Sequence, residues 1–241
     1  MTVVTPYINS AKGKKEQVAE MFDNIAPKYD FLNHFLSFGI DKIWRRKAIR
    51  LLISHAPANI LDVATGTGDF AIESLKTGAR NIVGVDISEE MLSFGRTKIE
   101  KLGVGNRISL QKGDAEGLGF ADNYFEAVTV AFGVRNFENL PKGLKELNRV
   151  LKPGGMVCIL EFSKPVYFPV KQLYTFYSFY ILPRLGRLFS RDNSAYRYLP
   201  ESVEKFPDGA EFLAVLKASG FSQTRQYRQT FGVATIYTGI K

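Results

Sequence analysis

Apolar positions in the first third of the chain recur at helical spacing. Residues 14–26 place Val18, Met21, Phe22 and Ile25 on one face, three and four positions apart, which predicts a helix. Pro27 interrupts it. The stretch YDFLNHFLSFGIDKIWRRKAIRLLISH (29–55) resumes the pattern and breaks near Gly39. Its second half predicts a helix over about 41–54, with Asp41 as its cap and Ile43, Trp44, Lys47, Ala48 and Leu51 along one side. From residue 59 the period shortens. NILDVAT (59–65), NIVGVDI (81–87), RISLQKGDA (107–115), FEAVTVAFG (125–133) and MVCILEF (156–162) read as strands. Helices are expected from Gly68 to about 77, over 89–102 behind the N-cap Ser88, and over about 139–151 before Pro153-Gly154-Gly155. This alternation implies right-handed crossovers and a parallel sheet. After a helix at about 208–219, SQTRQYRQTFGVATIYTGI holds two β-rich runs around Phe231-Gly232, which predicts an antiparallel hairpin at the sheet edge. The expected organisation is one α/β domain over 1–241. It comprises an N-terminal helical segment (1–56), a core (57–163), an aromatic and basic insertion (164–207), and a last helix with its hairpin (208–241).

Composition narrows this picture modestly. The 241 residues suffice for one full core, and 45% apolar with 23% charged residues is a globular balance. The single cysteine, Cys158, lies in an apolar run, so no disulfide framework is available; it reads as a packed core residue in a reducing compartment. No positive-then-apolar leader opens the chain, and no run reaches the roughly 18 apolar residues of a spanning helix. The expectation is a cytoplasmic protein, at most resting on the inner face of the cytoplasmic membrane. The net charge of +8 is compatible with nucleic acid or anionic lipid as a partner.

The chemistry starts at LDVATGTGDFAIES (61–74). GTGDFA fits the dinucleotide pattern G-x-G-x-x-A, and Gly66 and Gly68 let backbone approach a ligand closely. Asp86 ends the second strand about 20 residues later, where a carboxylate accepts from a ribose diol. The pair indicates an adenosine ligand, either NAD or S-adenosylmethionine. Three features separate them. Asp62, four residues before the first glycine, opposes a pyrophosphate but suits a cationic methionine end. Asp114 and the Ala115 amide, in GDA (113–115), suit an adenine. RVLKPGG (149–155) leads into the fifth strand, and the sheet ends in a hairpin rather than a second nucleotide-binding half.

LDVATGTGD, GVDIS, KGDA and RVLKPGG together resemble the motifs of class I S-adenosylmethionine-dependent methyltransferases. That resemblance implies a Rossmann-like, seven-stranded, mostly parallel sheet with an antiparallel last strand. It also implies cofactor contacts from Asp62, Thr65, Gly66, Thr67, Gly68, Asp86, Ile87, Asp114, Ala115 and Ala131. YDFLNHFLSFGIDKIW (29–44), FGVRN (132–136), LEFSKP (160–165), YSFYILPRLG (177–186) and YRYLPESV (196–203) are similar to the quinone-biosynthesis C-methyltransferases, the demethylmenaquinone and polyprenyl-benzoquinol methylases. This chain departs at Leu32, where that signature usually carries Met, and at Ala131, where a serine is common.

Residues 166–189 are rich in Tyr and Phe, carry Lys171, Arg184 and Arg187, and hold no acid. They suit a helix in an anionic membrane interface or the wall of an apolar substrate tunnel. A packed helix or a homodimer contact fits the same composition. AFGVRN follows the fourth strand in place of the N/D-P-P-Y/F clamp of base amino-methylating enzymes, which argues against nucleic acid.

The expected reaction is C-methylation of a reduced polyprenyl quinone precursor, demethylmenaquinol first. The alternatives are a polyprenyl-benzoquinol, another lipid or small aromatic, or a cofactor-binding membrane adaptor without turnover. Alignment of donor and ring carbon supplies much of the acceleration, and a cation near the ring oxygen stabilises its negative charge. Arg135 is the candidate for that role, with an ion pair as its bland alternative. Asn136 either orients the ring or caps the next helix. His34, Asp30 and Tyr29 are candidates for the base or the lid. His34 also reads as a packed residue among Phe31, Phe35 and Phe38, and Trp44 as core or lid packing. No metal is expected.

Overall fold

The computed structural model describes residues 4–31, 37, 39–181, 184 and 194–241. Its centre is a seven-stranded sheet of order β3-β2-β1-β4-β5-β7-β6. The strands are β1 (Asn59–Val63), β2 (Asn81–Asp86), β3 (Ile108–Lys112), β4 (Phe125–Ala131), β5 (Leu151–Phe162), β6 (Ser222–Gln229) and β7 (Ala234–Ile240). β1 pairs in parallel with β2 and β4, while β7 runs antiparallel between β5 and β6. The hairpin expected from sequence therefore forms, and its second strand is inserted beside β5. Strand order reverses between β1 and β4, the position at which open α/β sheets bind ligands.

Alternation along the strands feeds two apolar layers. Leu61, Val63, Val128 and Val130 face one, and Ile60, Ile82, Ala127 and Cys158 face the other. Cys158 is wholly buried, its Sγ 3.7 Å from the Ala48 carbonyl, and burial pushes the thiol up to about 12. It is a core residue, as expected.

The helices are α1 (Lys14–Ile25), α2 (Ile40–Ile53), α3 (Asp69–Ser74), α4 (Glu89–Lys101), α5 (Leu140–Val150), α6 (Val170–Phe176), α7 (Ser194–Lys205) and α8 (Ala210–Ala218). Ser88 caps α4, its Oγ accepting from the Met91 amide at 3.2 Å. The same hydroxyl donates to Asp23 at 2.6 Å, which ties α1 to the start of α4.

Three local readings are corrected. The buried face of α2 is Trp44, Arg45, Ala48, Ile49 and Leu52, whereas Ile43 is exposed. A buried arginine disguises that face as polar. Asp41 is not the cap: Gly39 holds that position, and Asp41 is buried one residue inside the helix, accepting from Ser37 and Arg45. Finally, β5 begins at Leu151 rather than beyond the glycines. Leu151 pairs with Phe125 and Met156 with Ala127, so the intervening Pro153-Gly154-Gly155 bulges out of the ladder.

Candidate active site

Two cavities open beside the carboxyl ends of β1 and β4. The smaller, about 70 Å³, is lined by Gly66, Asp86, Ile87, Met91, Asp114, Ala115, Ala131 and Asn136, among others. The larger, about 380 Å³, is bounded mainly by aromatic and aliphatic side chains from α1, α2, α6 and α7. Phe22, Tyr29 and Phe132 line both. The two spaces therefore meet at three aromatic side chains.

The backbone around this junction is unusual. Gly66 has φ +55° and Gly68 φ +81°, the left-handed region that glycine tolerates. Ala64 and Phe132, just past the ends of β1 and β4, take φ 53° and 58° without that freedom. Non-glycine residues in this region are uncommon and gather at functional sites.

Asp86 ends β2 and lines the smaller cavity. Its Oδ2 accepts from the Gly66 amide at 2.8 Å and its Oδ1 from the Ser88 amide at 2.9 Å, which fixes the carboxylate at the cavity wall. The Ile87 amide also acts on the carboxylate, so three backbone amides converge on it. Burial pushes its pKa up, against those amide bonds. Asp114 and Ala115 lie farther along the same wall, and Asp114 accepts from Lys15 of α1 at 2.6 Å. Burial would raise Asp114, but the Lys15 ammonium and the Glu116 amide hold it below the usual range. The acceptor expected for an adenine amine is thus already engaged by the N-terminal helix. Ile87 and Ala131 line this cavity, and Ala131 presents only a methyl group.

Asp62 is corrected. It is wholly buried beneath the turn, outside both cavity walls, and its oxygens accept from Thr65 Oγ1 at 2.6 Å and Thr129 Oγ1 at 2.7 Å. Burial pushes its carboxyl up to about 6, against those hydroxyl bonds. It braces the turn from below. Thr65, Thr67 and Gly68 also lie outside both walls. Thr67 donates to Asp30 at 2.5 Å, and Gly68 is the N-cap residue of α3. Asp30 is corrected in turn: it pairs with Lys98 at 2.6 Å and clips the N-terminal segment to the turn, outside both cavities. His34 lies outside the described residues.

Arg135 lines the larger cavity, its side chain only 7% exposed. Nη1 pairs with Glu161 Oε1 at 2.8 Å and donates to the Phe132 carbonyl, and Nε donates to Ser202 Oγ at 3.3 Å. Nη2 has no hydrogen-bond partner among the described residues. The guanidinium lies 5.5 Å from the Phe162 ring centroid. Glu161 is wholly buried, and burial raises its pKa despite Arg135 and two amide donors. Sequence reasoning did not single Glu161 out; its signal was a lone acid inside the apolar run MVCILEF.

Asn136 does not cap the next helix, because Asn139 does so through Lys142 N at 3.0 Å. Asn136 lines the smaller cavity and accepts at 3.1 Å from the hydroxyl of Tyr198, which lines the larger. Burial pushes the Tyr198 hydroxyl up to about 12, so it remains a donor. Trp44, expected as core or lid packing, is buried and also lines the larger cavity: it packs beside Phe132 and Phe162 and donates Nε1 to Thr230 at 2.8 Å. No cluster of metal-ligating side chains occurs among the described residues.

Known proteins match this chain over nearly its whole length. It is 53% identical over 239 residues to the demethylmenaquinone methyltransferase of Bacteroides fragilis, covering 99% of this chain and 97% of that protein. It is 49% identical over 231 residues to a ubiquinone/menaquinone biosynthesis C-methyltransferase of Geotalea daltonii, covering 95% and 97%. Among solved structures, an S-adenosylmethionine-dependent methyltransferase of Thermotoga maritima shares the fold at TM-score 0.63 and 17% identity, covering 92% and 99%. The profile of the ubiE/COQ5 methyltransferase family matches residues 10–241. With this sheet, this glycine turn and these relatives, the chain belongs to the ubiE/COQ5 methyltransferase family, an enzyme that takes its methyl group from S-adenosylmethionine.

Proposed function

We propose that the protein methylates a ring carbon of a reduced polyprenyl quinone precursor, demethylmenaquinol. The observation that carries this reading is the junction of the two cavities at Phe22, Tyr29 and Phe132, with the Arg135 guanidinium on the apolar side. The adenosine end fits the Asp86 and Asp114 wall, and a prenylated ring fits the larger aromatic space. The cofactor supplies an electrophilic methyl group on a sulfonium. The chain's part is alignment and charge. Phe132 and Tyr29 border the position at which donor and ring meet. Arg135, with Nη2 uncommitted, favours loss of the ring hydroxyl proton to solvent by stabilising the oxyanion, which makes the neighbouring carbon nucleophilic. Methyl transfer to that carbon releases S-adenosylhomocysteine, and the displaced ring proton passes to solvent as the ring becomes aromatic again. Asn136 and Tyr198 link the two walls and hold the ring face. The name carried by the Bacteroides fragilis relative supports a naphthoquinol over a benzoquinol.

The insertion supports a membrane-facing entrance. No residue of α6 is buried, and α6 continues into a π-helical turn, Tyr177–Ile181. Val170, Tyr174 and Tyr177 line the larger cavity, while Tyr167, Phe168, Phe176, Phe179 and Tyr180 are exposed. No helix among the described residues is long and apolar enough to cross a membrane. An aromatic segment with one side on the cavity and the other on solvent suits the bilayer interface, where a long prenyl chain is met.

Incubation with labelled S-adenosylmethionine and short-chain naphthoquinol or benzoquinol tests the reading. Label in the naphthoquinol supports it, preferential label in the benzoquinol replaces the ring assignment, and label in neither overturns it.

A further inference from the structure

Arg45 of α2 carries an unused donor edge. Its residue is 8% exposed, and Nε is buried with no hydrogen-bond partner. Nη1 pairs with Asp41 and stands 3.8 Å from Asp69 Oδ2. Nη2 has no hydrogen-bond partner among the described residues. Nε–H and one Nη2–H lie parallel on the same edge of the planar group, the fork that binds two coplanar oxygens. An orphaned buried guanidinium nitrogen is costly, so this edge is built for an acceptor.

The position of the edge identifies that acceptor. Arg45 lines the larger cavity, and its carbon Cζ lies 5.7 Å from the ring centroid of Phe132, which borders both cavities. Its charge also acts on Asp62 under the glycine turn, and Asp69 directly follows that turn. Arg45 therefore lies beside the turn at the end remote from Asp114. The neighbouring acids are occupied elsewhere: Asp69 pairs with Lys98 at 2.6 Å, Asp62 accepts from two threonines, and Asp41 takes Nη1. A quinol offers one oxygen at each ring position. The methyl donor carries a planar carboxylate on its methionine end.

We infer that Arg45 is the carboxylate clamp of the cofactor site, its Nε/Nη2 edge receiving the methionine carboxylate of S-adenosylmethionine while Asp41 holds the guanidinium in place. This inference rests on the nucleoside end lying in the smaller cavity. It supplies a contact to the methionine end that Asp62, sealed under the turn, does not.

Equilibrium binding of two nucleosides to the full chain tests it by calorimetry. S-adenosylhomocysteine retains the amino-acid end; 5′-methylthioadenosine lacks it. Arg45→Gln is expected to weaken S-adenosylhomocysteine roughly ten- to hundredfold, the effect of losing a charge-assisted bond pair, and to leave 5′-methylthioadenosine unchanged. Unchanged S-adenosylhomocysteine affinity, or equal loss for both nucleosides, overturns the clamp. Loss confined to the KM for the quinol also overturns it and moves Arg45 to the ring. Failure of the unaltered protein to bind 5′-methylthioadenosine overturns the nucleoside site itself, a distinguishable result. A second measurement needs no variant: decarboxylated S-adenosylmethionine should bind the unaltered protein at least tenfold more weakly than S-adenosylmethionine, and equal binding overturns the clamp.

Discussion

Arg135 and Glu161 meet at 2.8 Å in the wall of the larger cavity, with the acid wholly buried on β5. The pair fixes the guanidinium plane, and the Phe132 carbonyl and Ser202 hydroxyl hold its other donors. The ion pair occupies one edge of the guanidinium, and Nη2 has no hydrogen-bond partner among the described residues.

Removing Arg135 should cost stability and turnover through separable routes. Arg135→Ala leaves Glu161 buried without its partner, which costs about 3–5 kcal/mol. Arg135→Met with Glu161→Gln removes both charges and should recover most of that stability without recovering turnover. Urea midpoints and single-turnover rates for the two proteins separate the effects. Recovered turnover in the double variant removes Arg135 from the chemistry.

Asp62 predicts a pH dependence of folding. Its carboxyl is raised from 3.8 to about 6 in the fold. The folded state therefore binds the proton more tightly than the unfolded chain. The associated stability is fully present below pH 3.8 and is lost as pH rises through 6, by up to about 3 kcal/mol. Asp62→Asn removes this contribution, so its stability relative to the unaltered protein should rise between pH 5 and pH 7.5. Urea unfolding of the ligand-free protein at both values measures the difference, and parallel changes in the two proteins contradict it.

Substitutions at Asp86 and Asp62 should differ in their effect on ligand affinity. Asp86→Ala removes the acceptor of the Gly66 amide and the carboxylate proposed to take the ribose, and should weaken S-adenosylhomocysteine by tenfold or more. Asp62→Asn keeps one acceptor beneath the turn and presents an NH2 group that the other threonine hydroxyl can accept, and should change that affinity by less than about threefold. A larger loss at Asp62 would show that its carboxylate reaches the ligand.

The exposed aromatics of α6 and the π-helical turn are predicted to act only at lipid. Phe176→Ser with Tyr180→Ser should reduce co-sedimentation with anionic vesicles severalfold while leaving turnover of a water-soluble short-chain quinol intact. Undiminished sedimentation removes this face from membrane contact.

The strands, the glycine turn and Asp86 were legible in the sequence because each is a local pattern: a short apolar run, a left-handed turn, a carboxylate at a strand end. Asp62 was placed correctly in the chain but not in depth, since Thr129, which seals it, stands 67 positions away. Arg45 was hidden because a buried arginine reads as a solvent face, which also displaced the expected α2 stripe toward Ile43. Asp30 looked like a base until its partners Lys98 and Thr67, both distant in sequence, placed it outside the cavities. The positive φ of Ala64 and Phe132 has no compositional signature at all, because neither residue favours it.

The central claim is that a methyl group crosses from the small cavity to a ring carbon in the large one. Nuclear magnetic resonance of the product formed from carbon-13 methyl-labelled S-adenosylmethionine and a short-chain demethylnaphthoquinol tests this directly. The account predicts one labelled methyl bonded to the ring carbon, and none from Arg135→Met. A labelled methyl ether, or carbon methylation that persists in Arg135→Met, would contradict it.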